Sequence, residues 1–258
     1  MSAPSALEAV VKRDRLVVAA GLFSITALSW AYTLYLAWRM VGMDMNMAMP
    51  RVETWGPVEL LLLFLMWVVM MIAMMTPSAA PMILLFASIN RKRKEREAPF
   101  VPTAVFAGGY LLAWTSFSAV ATLAQWGLHE AALLSPMMVS TSSRLGGGLL
   151  IAAGLFQWLP WKNACLRHCR SPLSFITTEW REGMSGALAM GLKHGAYCAG
   201  CCWALMALLF VGGVMNLFWI AGLTIFVLLE KTLAAGVWVG RAAGVALALF
   251  GVWVVRAG

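Results

Sequence analysis

Long apolar windows alternate with short charged, proline-bearing or glycine-bearing stretches from one end of the chain to the other. The windows fall near 16–38, 57–87, 102–127, 144–161, 184–212, 216–230 and 239–256. About 20 apolar residues suffice for a helix to cross a ~30 Å hydrocarbon layer, so the pattern predicts an all-α, polytopic transmembrane bundle of about six to seven spans. The sixth and seventh windows are short ones. Residues 1–15 read as a polar cytoplasmic lead and 16–256 as a single transmembrane helical domain, with no linker long enough to divide it. The first apolar run is too long for a signal-peptide core and lacks a small-residue cleavage site, so it is expected to remain as a helix. The second window would measure roughly 46 Å at 1.5 Å per residue, longer than the hydrocarbon requires. Within it, Pro77 and Pro81 of TPSAAP remove two amide donors and are expected to kink the span.

Composition agrees with the pattern. Of 258 residues, 62% are hydrophobic and 12% charged, and the mean hydropathy is +0.81. A soluble domain could not hide that much apolar surface. The formal net charge of +8 then acquires a different meaning, because the basic residues are distributed by side. With the amino terminus inside, the cytoplasmic segments hold Lys12, Arg13, Arg15, Arg91, Lys92, Arg93, Lys94, Arg96, Lys162, Arg167, Arg170, Arg181, Lys231 and Arg241. The opposite side holds Arg39, Arg51, Arg144 and Arg256. This asymmetry orients the chain in a membrane, with the bacterial inner membrane as the expected location. RKRKERE is accordingly a solvated cytoplasmic loop, and no nucleic acid is expected as a partner.

Candidate chemistry stands out against this apolar background. KHGAYCAGCCW, Lys193 to Trp203, places a lysine, a histidine and three cysteines inside a span, and ionisable groups there are costly unless a partner or cavity compensates. At 100° per residue, His194, Cys198, Cys201 and Cys202 fall at about 0°, 40°, −20° and 80°, on one face. Met190 extends that face and Trp203 points away. An imidazole with two or three thiolates suits Cu(I), with Zn(II) also possible. The bland alternative is that these cysteines are small apolar packers. Lys193 would lower the pKa of the neighbouring thiols and offset the charge of a bound thiolate–copper unit.

Two further groups carry donors. Cys165, His168 and Cys169, in WKNACLRHCRSP, share a face if that short piece is helical; their C-x-x-H-C order is not that of haem attachment. The segment MDMNMAM puts Met43, Met45, Met47 and Met49 at alternate positions, so an extended backbone would turn four thioethers to one side, as an external capture site for a soft ion. Met70 and Met74, with Met66, follow helical spacing in the second window and read mainly as packing, with a secondary ligand role. The odd count of five cysteines, none in an external segment, argues against a disulfide framework. No nucleotide-binding loop or catalytic motif is present to supply ATP-driven pumping or to define an enzyme.

MMIAMMTPSAAPM, FQWLPWKNACLRHCRSPL and GLKHGAYCAGCCWALM, followed by MNLFWIA and an EK pair, together resemble the predicted metal-binding integral membrane proteins grouped as domain of unknown function 2182, over roughly residues 57–256. The resemblance implies metal binding through Cys165, Cys169, His194, Cys198, Cys201 and Cys202; His168 and the methionine loop are added from spacing. The expected function is the uptake, delivery or insertion of copper(I). Its partners would be the bilayer, the ion, and a copper chaperone or membrane enzyme subunit. The rivals are a metal-bearing subunit of a membrane oxidoreductase and a structural membrane partner whose thiols do no chemistry.

Overall fold

A computed structural model of the chain describes residues 6–42, 56–94, 101–134, 140 and 142–257. The methionine-rich segment with Met43, Met45, Met47 and Met49 lies outside the described residues. The fold is all-α. Among the described residues the sole β-type pairing is an isolated bridge between Leu134 and Ser140. The long helices are α1 (Ala6–Gly42), α2 (Pro57–Lys94), α3 (Thr103–Glu130), α7 (Gly183–Ala207) and α10 (Gly236–Ala257). The shorter ones are α4 (Ser143–Phe156), α5 (Pro160–Arg170), α6 (Pro172–Glu179), α8 (Leu209–Gly212) and α9 (Leu217–Thr232).

Among the described residues, five stretches are long and apolar enough to cross a membrane: Leu16–Arg39, Pro57–Arg93, Thr103–Glu130, Gly183–Gly212 and Gly236–Ala257. The windows at 144–161 and 216–230 yield the shorter helices α4 and α9. The fourth window breaks because Pro160 opens a new helix at its first turn, and the residue before a proline is driven out of the helical region. Leu159 accordingly adopts φ −67°, ψ 137°. Helix α1 begins at Ala6, ahead of the first window, in a run without glycine or proline.

Helix α2 runs unbroken through Pro77 and Pro81. Pro77 cannot donate to the carbonyl four residues back, that of Ala73. The indole of Trp30 on α1 donates to that carbonyl instead, at 3.0 Å, so the backbone acceptor remains satisfied.

The most extensive helix pairings are α3 with α7 and α4 with α10, and both depend on absent side chains. A Cβ at Gly191 of α7 would collide with the backbone carbonyl of Phe106 on α3, and one at Gly109 of α3 with that of Leu188. Small residues let helices approach closely where lipid offers no hydrophobic driving force between them. The resulting core holds Met66, Trp67, Met70, Met71, Met74 and Met75 of α2, against Phe106, Tyr110 and Trp114 of α3. Outward, Phe23, Leu28, Trp38, Phe218, Trp238 and Leu249 are 67–93% exposed, an apolar periphery compatible with membrane insertion.

Candidate metal site

The inner wall of α7 carries the site. His194, Cys198, Cys201 and Cys202 are all buried, as is Met190, while Trp203 on the far side of the helix is 45% exposed. The shared face expected from a 3.6-residue period is therefore the one packed into the protein. Cys201 and Cys202 donate their thiols to the Cys198 carbonyl, at 3.1 and 3.0 Å. All five cysteines are free.

Three side chains from other helices close around Cys198. The Lys231 ammonium, from the end of α9, lies 2.9 Å from its sulfur and donates to the Ser78 hydroxyl of α2 at 3.1 Å. The Tyr110 hydroxyl of α3 sits 3.2 Å from the same sulfur and donates to the Met75 carbonyl at 3.1 Å. Cys169, from α5, approaches both Cys198 and Cys201, and its thiol is pushed above the ordinary range by its interaction with the two sulfurs, to which burial adds. The two constellations separated in sequence thus meet. Cys165 lies on the same side of α5, its sulfur 3.1 Å from where a Cβ of Gly200 would stand. Burial pushes its thiol up, with the nearby Cys201 a further cause.

The histidines differ. The His194 ring is walled by Phe106, Tyr110 and Phe175, at centroid distances of 6.3, 5.7 and 5.3 Å, and its Nδ1 is buried without a hydrogen-bond partner. A buried imidazole nitrogen left unpaired is costly and marks a place where a ligand bond could form. His168 instead stacks on Tyr197 at 4.1 Å, with its Nδ1 2.9 Å from the Ala164 carbonyl. The Met190 sulfur accepts the Arg181 amide at 3.3 Å, at the amino-terminal end of α7. Met70 and Met74 are packed in the core.

Lys193 is not the cation of this site. Its ammonium pairs with Glu179 at 2.7 Å, with its side chain 40% exposed. It is one residue from His194, about 100° around the helix, and so points off the inner wall. Lys231 takes the place expected for it, and sequence reasoning had no way to align residues 33 positions apart. Glu230, its neighbour in the chain, turns to a different partner: it forms a buried ion pair with Lys162, whose ammonium also bonds Gln157.

Among the described residues, no group of three or more His, Cys, Asp or Glu side chains is gathered closely enough to hold an ion as it stands. Cys169 nevertheless stands close to Cys198 and Cys201, near an imidazole nitrogen that has no hydrogen-bond partner among the described residues. Soft donors in a buried setting fit Cu(I), which two thiolates can hold, better than a hard cation that needs many oxygens.

Replacing Lys231 by methionine is expected to weaken copper(I) binding about tenfold, the lower end of the effect of removing a group that orients a ligand. Lys193→Met should change it by less than about fivefold, since exposed ion pairs are worth at most ~1 kcal/mol. Equal effects in anaerobic chelator competition would contradict this assignment of the cation.

No curated protein and no solved structure matches the chain. The family described as PpoB2, copper chaperone, matches residues 64–254, a span that takes in α3 to α9 whole with most of α2 and α10, and therefore every side chain of the thiol cluster. The expectation that the chain handles copper is thereby supported, and the chain belongs to the PpoB2 copper chaperone family.

Proposed function

We propose that this chain is an integral membrane protein that carries copper(I) as cargo on Cys169, Cys198 and Cys201, with His194 and Cys202 completing or exchanging the coordination. The observation that carries the reading is the meeting of Cys169 from α5 with Cys198 and Cys201 of α7 in a buried pocket that also holds a lysine ammonium. Membership of a copper chaperone family supports the choice of ion, and five helices of spanning length and apolarity support the membrane. Two thiolates, a neutral imidazole and Cu(I) sum to a charge of about −1, which the Lys231 ammonium would offset, removing the main cost of an ion unit in a dry interior. Cys165, on the same side of α5 as Cys169, would offer a further thiol for passage of the ion between this pocket and a partner by thiolate exchange. In that scheme Met43, Met45, Met47 and Met49 would serve as an external capture site.

The test is anaerobic chelator competition on the purified full chain. Cys198→Ser and Cys169→Ser are each expected to lower copper(I) affinity about 100-fold or more, because each removes a ligand and not merely a supporting contact. His168→Ala should leave affinity near that of the parent. Parent-like copper stoichiometry and affinity in Cys198→Ser would reject the site and favour the view that these thiols are packing groups.

A further inference from the structure

A second concavity lies on the opposite side of α5 from the thiols. It has a volume of about 650 Å³ and is bordered by Trp158, Asn163, Arg167 and Arg170, with Arg241 of α10 across from them. Around α5, Cys165 and Cys169 stand at about 0° and 40°, whereas Asn163, Arg167 and Arg170 stand between about 140° and 200°. One short helix thus presents thiols inward and guanidinium groups to the cavity.

Among the described residues, three arginines border this cavity and no Asp or Glu does. Glu230, which ends the neighbouring α9, is engaged by Lys162. Arg241 is held over Trp158 and Trp238, at 5.5 and 5.2 Å from the ring centroids, and its Nε is buried without a hydrogen-bond partner. Arg170 donates to the carbonyls of Leu233 and Ala234, at 2.6 and 2.9 Å, which fixes its guanidinium while leaving other N–H donors free. Fixed guanidinium groups with spare donors match the tetrahedral, multiply charged oxygens of a phosphate. Exposed Trp158 and Trp238 at the rim have the amphipathic character of side chains that settle at a headgroup boundary.

We propose that this cavity is a binding site for a phosphate group, presented either by an anionic phospholipid headgroup or by free phosphate. The volume is ample for either, and basic pockets between helices on the cytoplasmic side are suited to such headgroups. Because the cavity wall and the thiol wall belong to the same helix, an occupant would also brace α5 in the position that brings Cys169 to Cys198.

The experiment reconstitutes the full chain in nanodiscs of mixed phosphatidylglycerol and phosphatidylcholine, then measures lipid retained on extraction by native mass spectrometry. A parallel arm titrates delipidated protein with inorganic phosphate by calorimetry. One phosphatidylglycerol should be retained per chain, preferred over phosphatidylcholine about tenfold, and Arg167→Gln/Arg241→Gln should abolish the preference. Saturable binding of inorganic phosphate without lipid retention, lost in the same double variant, would assign the site to free phosphate. Should the double variant fail to fold, Arg167→Gln alone, altering an exposed side chain, must reduce whichever binding is seen. Absence of both kinds of binding in the parent, or undiminished binding in the folded variants, overturns the proposal.

Discussion

Lys162→Met, made with Glu230 left in place, is expected to destabilise the protein by about 3–5 kcal/mol, the cost of leaving a buried charge without its partner. The two side chains are 1% and 2% exposed, so solvent cannot take over the role of the missing ammonium. Gln157 also loses the cation to which its carbonyl oxygen is bonded. The space around Glu230 gives no relief, because it is seated where a Cβ on Gly240 would collide with its carboxylate. The double variant Lys162→Met/Glu230→Gln should recover at least half of the loss, since removing both charges removes the desolvation problem itself. Thermal and denaturant unfolding in one detergent would measure both changes. A single variant as stable as the parent would show that Glu230 does not depend on this partner.

The second large effect is expected at Gly191. An alanine there places its Cβ against the Phe106 carbonyl and the Tyr110 amide of α3. Both are backbone atoms that cannot rotate away, so the cost should reach about 3 kcal/mol, the upper part of the usual range for overpacking. The same displacement moves Tyr110 away from Cys198, a contact now of 3.2 Å, and copper(I) affinity should fall with stability. Gly222→Ala is the control: a Cβ there meets nothing within 4 Å, so the change should be neutral or stabilising by up to about 1 kcal/mol through helix propensity. Comparable unfolding of the two variants would refute the close α3–α7 approach as the cause.

Much of this architecture can be read directly from hydropathy. The windows at 16–38, 57–87, 102–127, 184–212 and 239–256 correspond to the five helices long enough to span a membrane. The window at 144–161 overstates what α4 becomes, because hydropathy does not register where a proline restarts a helix, whereas the window at 216–230 nearly coincides with α9, which Asn216 caps. At the site, the face shared by His194, Cys198, Cys201 and Cys202 was legible because helical periodicity is a local property. Contacts made across the bundle were not. Nothing local in WKNACLRHCRSP separates Cys169, which reaches the α7 sulfurs, from His168, which stacks on Tyr197. Two adjacent charges in EKT likewise gave no means of telling which one faces a thiol. Lys193 attracted attention for its position in the motif, yet one residue of helical rotation was enough to carry it out to Glu179.

The opposed partners of Glu230 and Lys231 have a consequence for how α9 assembles. Consecutive side chains on a helix diverge by about 100°, and these two reach Lys162 on one flank and Cys198 with Ser78 on another. Turning α9 by even half that angle would disengage both ends of the pair together, and sliding it by one residue would set a charge of the wrong sign before one partner and an uncharged Leu229 or Thr232 before the other. A 16-residue helix of nearly uniform hydrophobicity has little else in its sequence to define its rotational phase. The dipeptide therefore acts as an indexing key, and the ammonium is delivered to the thiols in the same step that seats the helix.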